Sequence, residues 1–481
     1  MTDEHAYRSA RDLAAAIAAK EVSSRELVIS AADRIERLDK DVNAVVRLDL
    51  DGALAAASDA DDATAAGRSS GPLHGVPMTI KDSFQTKGLI TTSGAPELAD
   101  FVPGVDADPV ARHRGAGAVV LGKTNLPIWA GDVQSFNEVY GTTSNPWNLA
   151  HSPGGSSGGS AAALAAGFTP IEIGSDIGGS IRNPASMCGV VGHKPSYGLC
   201  SGRGQIPGMP GSYTQADIAV VGPMARTVDD VELGLDLMTG PDDWHATAWS
   251  AELPAARTTD PTQLRVAVWA DDDACPVSNA VQATVERAAS ALADMGARVD
   301  SDARPTLTLT LEKSILVFDQ LISAALAGGW SPAEIEEMAT KRQLSGGLGV
   351  THAAQRHRAW LSANERRLQL RARWRTFFED WDVVLMPVSP RAAVPHDQSM
   401  PMTARTMDVD GAERPYTDQM AWMGAIGVVY LPSTVVPVGH DEQGLPIGVQ
   451  VVGPFLEDRT PLAAARMIEA ALGGFTPPPG F

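Results

Sequence analysis

The chain has 481 residues, 44% of them apolar, which is enough material for a large core and roughly three domain equivalents. Its formal net charge of −20 argues against nucleic acid and anionic membranes as partners, because both attract basic surfaces. The three cysteines, an odd number without CxxC spacing, predict reduced thiols and neither a disulfide framework nor a zinc site.

The first 67 residues are predicted to form a helical wrapper. Apolar residues recur at helical spacing through residues 8–40, and an alanine-rich run follows at 53–66. The N-terminus is charged and lacks the apolar core of a signal peptide. Since no stretch approaches the ~20 apolar residues of a membrane span, we expect a cytoplasmic protein without membrane contact.

From residue 73 onward, short strand-like runs alternate with helical stretches. This alternation predicts an α/β fold with a mixed, largely parallel central sheet covered by helices on both faces. Residues 68–305 are expected to form the core with its catalytic loops. The charge-rich segment 306–380 is expected to form a helical cap or insertion, and residues 381–481 to complete one large domain.

Two glycine–serine loops stand out, GGSSGGS at 154–160 and GGS at 178–180. Each adjoins an apolar segment, so both are expected to be fixed to the core, unlike a flexible linker. Glycine lets a backbone approach a ligand closely, and a serine hydroxyl can attack or relay a proton. The two loops therefore predict an active site.

Two short motifs match known patterns but are weak evidence for the functions that those patterns indicate. Residues 117–124 match the phosphate-binding pattern GxxxxGK[ST], but the four variable positions are Ala-Val-Val-Leu, which form strands and not loops. Residues 154–158 match GxSxG, but a nucleophile elbow needs a strand before it, and the preceding residues are typical of a loop. We therefore do not expect nucleotide binding, and the elbow remains a minor alternative.

A longer set of motifs is more specific, and it comprises VPMTIKD, LGKTN, YGTTSNPWN, GGSSGGS, DIGGSIR, GPMARTVDD and GLPIGVQVVG. In this order, over residues 9–472, they resemble the amidase signature family of serine hydrolases. The resemblance implies a Ser–cis-Ser–Lys triad, with Ser180 as nucleophile, Ser156 as bridging serine and Lys81 as base. It also implies an oxyanion hole built from the backbone N–H groups of Ile177, Gly178, Gly179 and Ser180.

The chemistry of these residue types agrees with the resemblance. A serine hydroxyl is a poor nucleophile until a base removes its proton. A lysine can be that base only when it is neutral, which requires burial or nearby cations to lower its pKa. Lys81 follows an apolar strand-like run, where burial is expected. Asp176, Arg182 and Ser157 are interpreted as supports of the two loops, and no metal or cofactor is expected.

The sequence departs from the family at two positions near the expected substrate. Ile128 lies where the family usually has an acidic residue after LGKTN, and Tyr430 occupies a position usually held by glycine. The predicted pocket residues are Ile128, Trp129, Met209, Met420, Trp422 and Tyr430. This apolar set favours an uncharged aryl or alkyl amide, and esters or carbamates could follow the same route.

The sequence thus predicts an amidohydrolase that cleaves a small-molecule carboxylic amide through an acyl-enzyme on Ser180. A homodimer is a further expectation. One alternative is the A subunit of an amidotransferase, and another is an inactive binding protein on the same scaffold. We prefer a stand-alone hydrolase because residues 308–350 lack the glutamine-recognition segment of the amidotransferase branch.

Overall fold

A computed structural model of the chain describes residues 3–305, 309–345 and 353–481, without the side chains of residues 3 and 341–345. Its helices are α1 (Ala10–Ala18), α2 (Ser24–Leu38), α3 (Leu50–Ala65), α4 (Asp108–Gly115), α5 (Gly158–Ala165), α6 (Arg182–Cys188), α7 (Val228–Met238), α8 (Asn279–Asp294), α9 (Leu311–Ala325), α10 (Pro332–Ser345), α11 (His357–Asp380), α12 (Ala421–Gly427) and α13 (Arg459–Leu472). The strands are β1 (Val45–Leu48), β2 (Pro77–Lys81), β3 (Val119–Thr124), β4 (Phe136–Asn137), β5 (Gly141–Thr142), β6 (Ile171–Asp176), β7 (Val191–Lys194), β8 (Val220–Ala225), β9 (Arg265–Val268), β10 (Arg298–Asp300), β11 (Val383–Pro387), β12 (Thr406–Val409), β13 (Ala412–Pro415), β14 (Ser433–His440) and β15 (Pro446–Val452).

Several helices begin where a serine caps the first turn. The Ser23 hydroxyl accepts a hydrogen bond from the Glu26 backbone, and the Glu26 carboxylate accepts one from the Ser23 backbone. Ser9 and Ser278 cap α1 and α8 in the same way, each through the backbone N–H three residues on. Such a cap contributes about 1 kcal/mol and satisfies a donor that the helix leaves open.

The central sheet has eight strands in the order β10-β9-β11-β15-β14-β7-β8-β6. The predicted α/β fold with a mixed sheet is confirmed. The ladders of β9 with β10 and with β11 are parallel, whereas the other five in this sheet are antiparallel. β14 and β15 pair in the antiparallel orientation because only a short turn joins them, whereas parallel neighbours need a long crossover connection. A second sheet, β1-β3-β2, pairs β2 and β3 in parallel.

Helices cover both faces of the large sheet, as alternation along β14 illustrates. Val436 and Val438 pack in one cluster with residues of α7, α8 and α13. Val435 points the other way, into a cluster with α5 and α6. Because both faces are buried, nearly every residue of these strands is apolar or hydrogen-bonded, as a two-sided core requires.

The segment boundaries 1–67, 68–305, 306–380 and 381–481 remain a prediction. The helices and strands found inside the segments can be compared with those expected there. The N-terminal segment is not purely helical, because β1 pairs with β3 of the small sheet. Helices α9, α10 and α11 occupy the described part of 306–380. None of the helices in the described ranges is long and apolar enough to cross a membrane.

Candidate active site

Lys81 is the last residue of β2, and its whole side chain is buried. Strand alternation sends Met78 and Ile80 into the main core, so Lys81 projects to the opposite side. There its Nζ lies 2.7 Å from Ser156 Oγ and 3.0 Å from both Ser157 Oγ and Ser175 Oγ. The strand therefore places one amine beside three hydroxyl groups.

The electrostatic setting makes Lys81 a base. Burial lowers its pKa to about 7, since the protonated amine is poorly solvated there, while the charge of Asp176 opposes the shift. The three hydroxyls can accept from the ammonium or donate to the neutral amine. Near neutral pH the amine is therefore able to take a proton from a neighbouring hydroxyl and return it.

The first glycine–serine loop holds Ser156 beside this amine. The Gly155–Ser156 peptide bond is cis. A Cβ on residue 155 would come within 2.7 Å of the Gln134 backbone nitrogen and 2.8 Å of the Asp132 carbonyl oxygen. Only glycine fits between these backbones, so the sequence requirement at this position is steric.

The second loop carries Ser180, which is 7% exposed, whereas Ser156 and Lys81 are fully buried. The Ser157 N–H donates to the Ser180 carbonyl oxygen at 3.1 Å, which ties the two loops together. The predicted nucleophile, bridging serine and lysine are thereby brought into one buried neighbourhood, and their catalytic roles remain a proposal.

Asp176 organises the loop before Ser180. Its carboxylate accepts from Gly179 N–H at 2.8 Å and from Ile181 N–H at 3.2 Å. Arg182 Nη2 lies 2.9 Å from Asp176 Oδ1 with both side chains buried. Burial favours the neutral acid, but the adjacent guanidinium prevails and keeps the pKa of Asp176 below its usual value.

This arrangement corrects the predicted oxyanion hole. The Gly179 N–H is already bound to Asp176, so it is not free to bind a developing oxyanion. In the described part of the chain, the N–H groups of Ile177, Gly178 and Ser180 have no such acceptor. The hole that this geometry offers thus contains at most these three donors. Gly179 instead acts through its backbone angle, φ of +120°, where a side chain would be strained.

The predicted pocket residues lie in different surroundings. Met420 lies against the loop before Ser180, because a Cβ on Gly178 would come within 3.2 Å of Met420 Sδ. Trp129 belongs to a turn near the end of β2, where its N–H donates to the Ser93 carbonyl oxygen. Ile128 beside it is 40% exposed, and Met209 is 58% exposed.

Trp422 and Tyr430 are each held by a hydrogen bond and by packing. Trp422 is fully buried, and its indole N–H donates to the Cys275 carbonyl oxygen, so it belongs to the core and not to a pocket wall. The expectation for Trp422 is therefore wrong. Tyr430 donates its hydroxyl to Asp217 and stacks on Tyr197 at 4.1 Å, which fixes the ring in an aromatic cluster.

Sequence reasoning missed three groups at the site. Ser175 contacts Lys81, and strand alternation along β6 before Asp176 could have indicated it. Phe318 and Ile322 of α9 lie within 3.5 Å and 3.3 Å of a Cβ placed on Gly178. No local pattern predicts that contact, because it depends on how α9 packs over a distant loop.

Comparison with known proteins identifies the family of this chain. The family model for the amidases matches residues 26–462. The chain belongs to the amidase signature family. It is 35% identical to the A subunit of the glutamyl-tRNA(Gln) amidotransferase of Acidothermus cellulolyticus, over 96% of this chain and 94% of that protein. Among solved structures it is similar to a bacterial aryl acylamidase, with a TM-score of 0.78, 25% identity and coverage of 97% and 96%. It is also similar to a fatty acid amide hydrolase, with a TM-score of 0.79, 25% identity and coverage of 98% and 87%.

These findings confirm the resemblance and place the chain among amidase-family enzymes that act on amide C–N bonds. The name of the amidotransferase relative agrees better with the alternative function than with the stand-alone hydrolase. Residues 308 and 346–350 of the segment used against that alternative lie outside the described residues. The absence of nucleic acid and the homodimer stay predictions for this amidase-family chain.

Proposed function

We propose that this amidase-family protein hydrolyses a carboxylic amide through an acyl-enzyme on Ser180. The observation that carries the proposal is the contact between Lys81 and Ser156, whose side chains are both fully buried. A buried lysine with its pKa near 7 is costly for stability, and such groups concentrate where a proton must be moved. Ser180, Ser156 and Lys81 would then act as nucleophile, relay and base, respectively.

The first half of the reaction breaks the C–N bond. Ser180 Oγ attacks the carbonyl carbon while its proton passes to Ser156, which hands its own proton to Lys81. The N–H groups of Ile177, Gly178 and Ser180 would stabilise the oxyanion of the tetrahedral intermediate. Its collapse expels the amine, which takes a proton back from the relay. Water then adds to the acyl-enzyme while its proton passes through Ser156 to Lys81, and the same proton returns to Ser180 Oγ as the carboxylic acid leaves.

The surroundings of the loop support an apolar group next to the reacting carbonyl. Met420 Sδ, Ile322 Cδ1 and Phe318 Cζ all lie within 3.5 Å of the position that a Cβ would take on Gly178, leaving hydrocarbon and sulfur atoms beside the loop. Such a surface favours alkyl or aryl groups, because it cannot replace the water lost by a polar one. Esters and carbamates of the same shape would enter the same route.

The proposal is tested with purified protein and a panel of alkyl, aryl and anilide amides, following both acid and amine products. We expect equimolar release of the two products, abolished by Ser180→Ala. Turnover that survives in the Ser180→Ala variant would overturn the assignment of the nucleophile. The matched control is Ser58→Ala, at a half-buried serine on α3 far from the site in sequence, which should keep full activity.

A second candidate is supported by the comparisons, namely the A subunit of an amidotransferase that releases ammonia from glutamine. It uses the same acyl-enzyme chemistry and differs in substrate and in the fate of the ammonia. Glutamine is therefore included in the panel, with glutamate as the product measured. A kcat/KM for glutamine above that of every apolar amide would favour this candidate, and glutamine left intact beside hydrolysed alkyl amides would exclude it.

A further inference from the structure

Asp319 is a carboxylate of α9, the helix that packs against the candidate active site. Ile322, one turn later, and Phe318, its neighbour in sequence, both reach the loop residue Gly178. Residues three apart lie on one side of a helix, so Asp319 flanks Ile322. The side chain is half-buried and within electrostatic reach of Asp418, two residues before Met420.

This carboxylate lacks the cation that a buried acid usually has. Within the described ranges, Asp319 has neither a hydrogen bond nor an ion pair. The charged group facing it is Asp418, which is engaged by Arg414 Nη2 at 2.7 Å. The arginine thus compensates Asp418 and leaves the charge of Asp319 unbalanced. Burying an unpaired charge is unfavourable, so a bound cation would recover interaction energy.

The charge state at neutral pH supports the same view. Burial raises the pKa of Asp319 to about 6, and repulsion from Asp418 adds to the shift. Asp319 is therefore mostly ionised above neutrality, while a primary amine with a pKa near 10 is protonated. Both partners of an ion pair would be charged over the range in which Lys81 is a neutral base.

We propose that Asp319 is a specificity-determining residue that binds a cationic amine on the substrate. The preferred substrate is then an amide whose carbonyl carries an apolar stem ending in an ammonium group. The stem packs on Phe318, Ile322 and Met420, and the ammonium pairs with Asp319. This rests on the proposed amide hydrolysis, and it replaces the uncharged amide expected from the sequence with a class that combines an apolar stem and a positive end.

Isosteric pairs of substrates test the inference. 5-Aminopentanamide and hexanamide differ by an ammonium in place of a methyl group, and 7-aminoheptanamide and octanamide repeat the comparison with a longer stem. Around pH 8 we expect kcat/KM of the cationic member to exceed that of its neutral partner about tenfold for at least one length. A preference for the neutral member at both lengths would overturn the inference.

Variants assign the preference to this residue. Asp319→Asn should remove the cationic preference, measured as the ratio of kcat/KM between the two members of a pair. Glu312→Gln removes an equal charge from an exposed position of α9 and should keep the preference. Loss of the preference in both variants would assign it to overall charge and contradict the role of Asp319.

Binding to the Ser180→Ala variant separates the two proposals. Calorimetry should find the cationic amide bound about tenfold more tightly than its isostere, and Asp319→Asn in the same background should abolish the difference. Selective binding without turnover by the wild type would support Asp319 and refute the proposed hydrolysis. Turnover with equal binding of both isosteres would do the reverse.

Discussion

The amine of Lys81 lies 2.7 Å from the hydroxyl oxygen of Ser156, and neither side chain is accessible to solvent. The contact joins the end of β2 to a loop 75 residues away in the chain. Because the two groups are in direct hydrogen-bond contact, a proton that leaves Ser156 can pass straight to Lys81. The contact therefore predicts that Lys81 acts as the base and that it does so as the neutral amine.

Replacing Lys81 should abolish most of the amidase activity. Lys81→Ala removes the base, and a positioned general base contributes about a hundred- to ten-thousandfold, so we expect kcat to fall about a thousandfold. Lys87→Ala, at an exposed lysine six residues on, should leave kcat unchanged. Circular dichroism verifies that both variants are folded. A Lys81→Ala variant with kcat within a factor of about two of the wild type would contradict the role.

The pH profile of kcat/KM should show a single ascending limb centred near pH 7. Burial lowers the pKa of Lys81 to about 7, so the neutral, basic form is lost as the pH falls below that value. We expect about a tenfold decrease per pH unit between pH 6 and 5, measured on a neutral amide. A profile without change from about pH 5 to 8 would show that Lys81 is not titrated in the rate-determining steps.

The pair Arg182–Asp176 should contribute strongly to folding. Both side chains are buried, and removing one member of such a pair costs about 3–5 kcal/mol. Arg182→Leu should therefore lower the free energy of unfolding by about that amount in urea titrations. The control is Arg466→Leu: Arg466 is 36% exposed and pairs with Asp229 and Glu232, and since solvent screens these pairs their loss should cost at most about 1 kcal/mol. Equal losses in the two variants would contradict the account of the loop.

Gly179 should tolerate no side chain. Its φ of +120° is unfavourable for other residues, and a Cβ there would overlap Met423 Sδ. We expect Gly179→Ala to destabilise the protein by about 1–3 kcal/mol and to reduce kcat by displacing the Ser180 loop. Gly104→Ala, where a Cβ meets no atom within 4 Å, should change neither quantity. Wild-type activity and stability in Gly179→Ala would refute the steric requirement.

The α/β fold and the neighbourhood of Lys81, Ser156 and Ser180 could be predicted because each has a local signal. Lys81 ends an apolar strand whose five residues are all buried, and the glycine–serine loops are visible in the sequence itself. The order of the motifs along the chain then indicated which lysine and which serines belong together. The geometry of that neighbourhood agrees with the prediction, while the roles await the experiments above.

The features that were predicted wrongly or missed depend on contacts between segments distant in the sequence. Whether the Gly179 N–H faces a substrate or Asp176 is decided by the folding of the loop around Arg182. Trp422 has the composition of a pocket residue, but its packing beside Cys275 places it in the core. Asp319 lies in a charge-rich helical segment that carries no motif, and only the packing of α9 brings its neighbours Phe318 and Ile322 near Gly178.

Covalent labelling of the nucleophile tests the central claim most directly. The protein is treated with a fluorophosphonate, and the adduct is located by intact mass and peptide mapping. We predict one adduct, on Ser180, absent in Ser180→Ala and formed much more slowly in Lys81→Ala. An adduct on Ser156, or none on a folded protein, would contradict the assignment of Ser180 as the nucleophile and of Lys81 as its base.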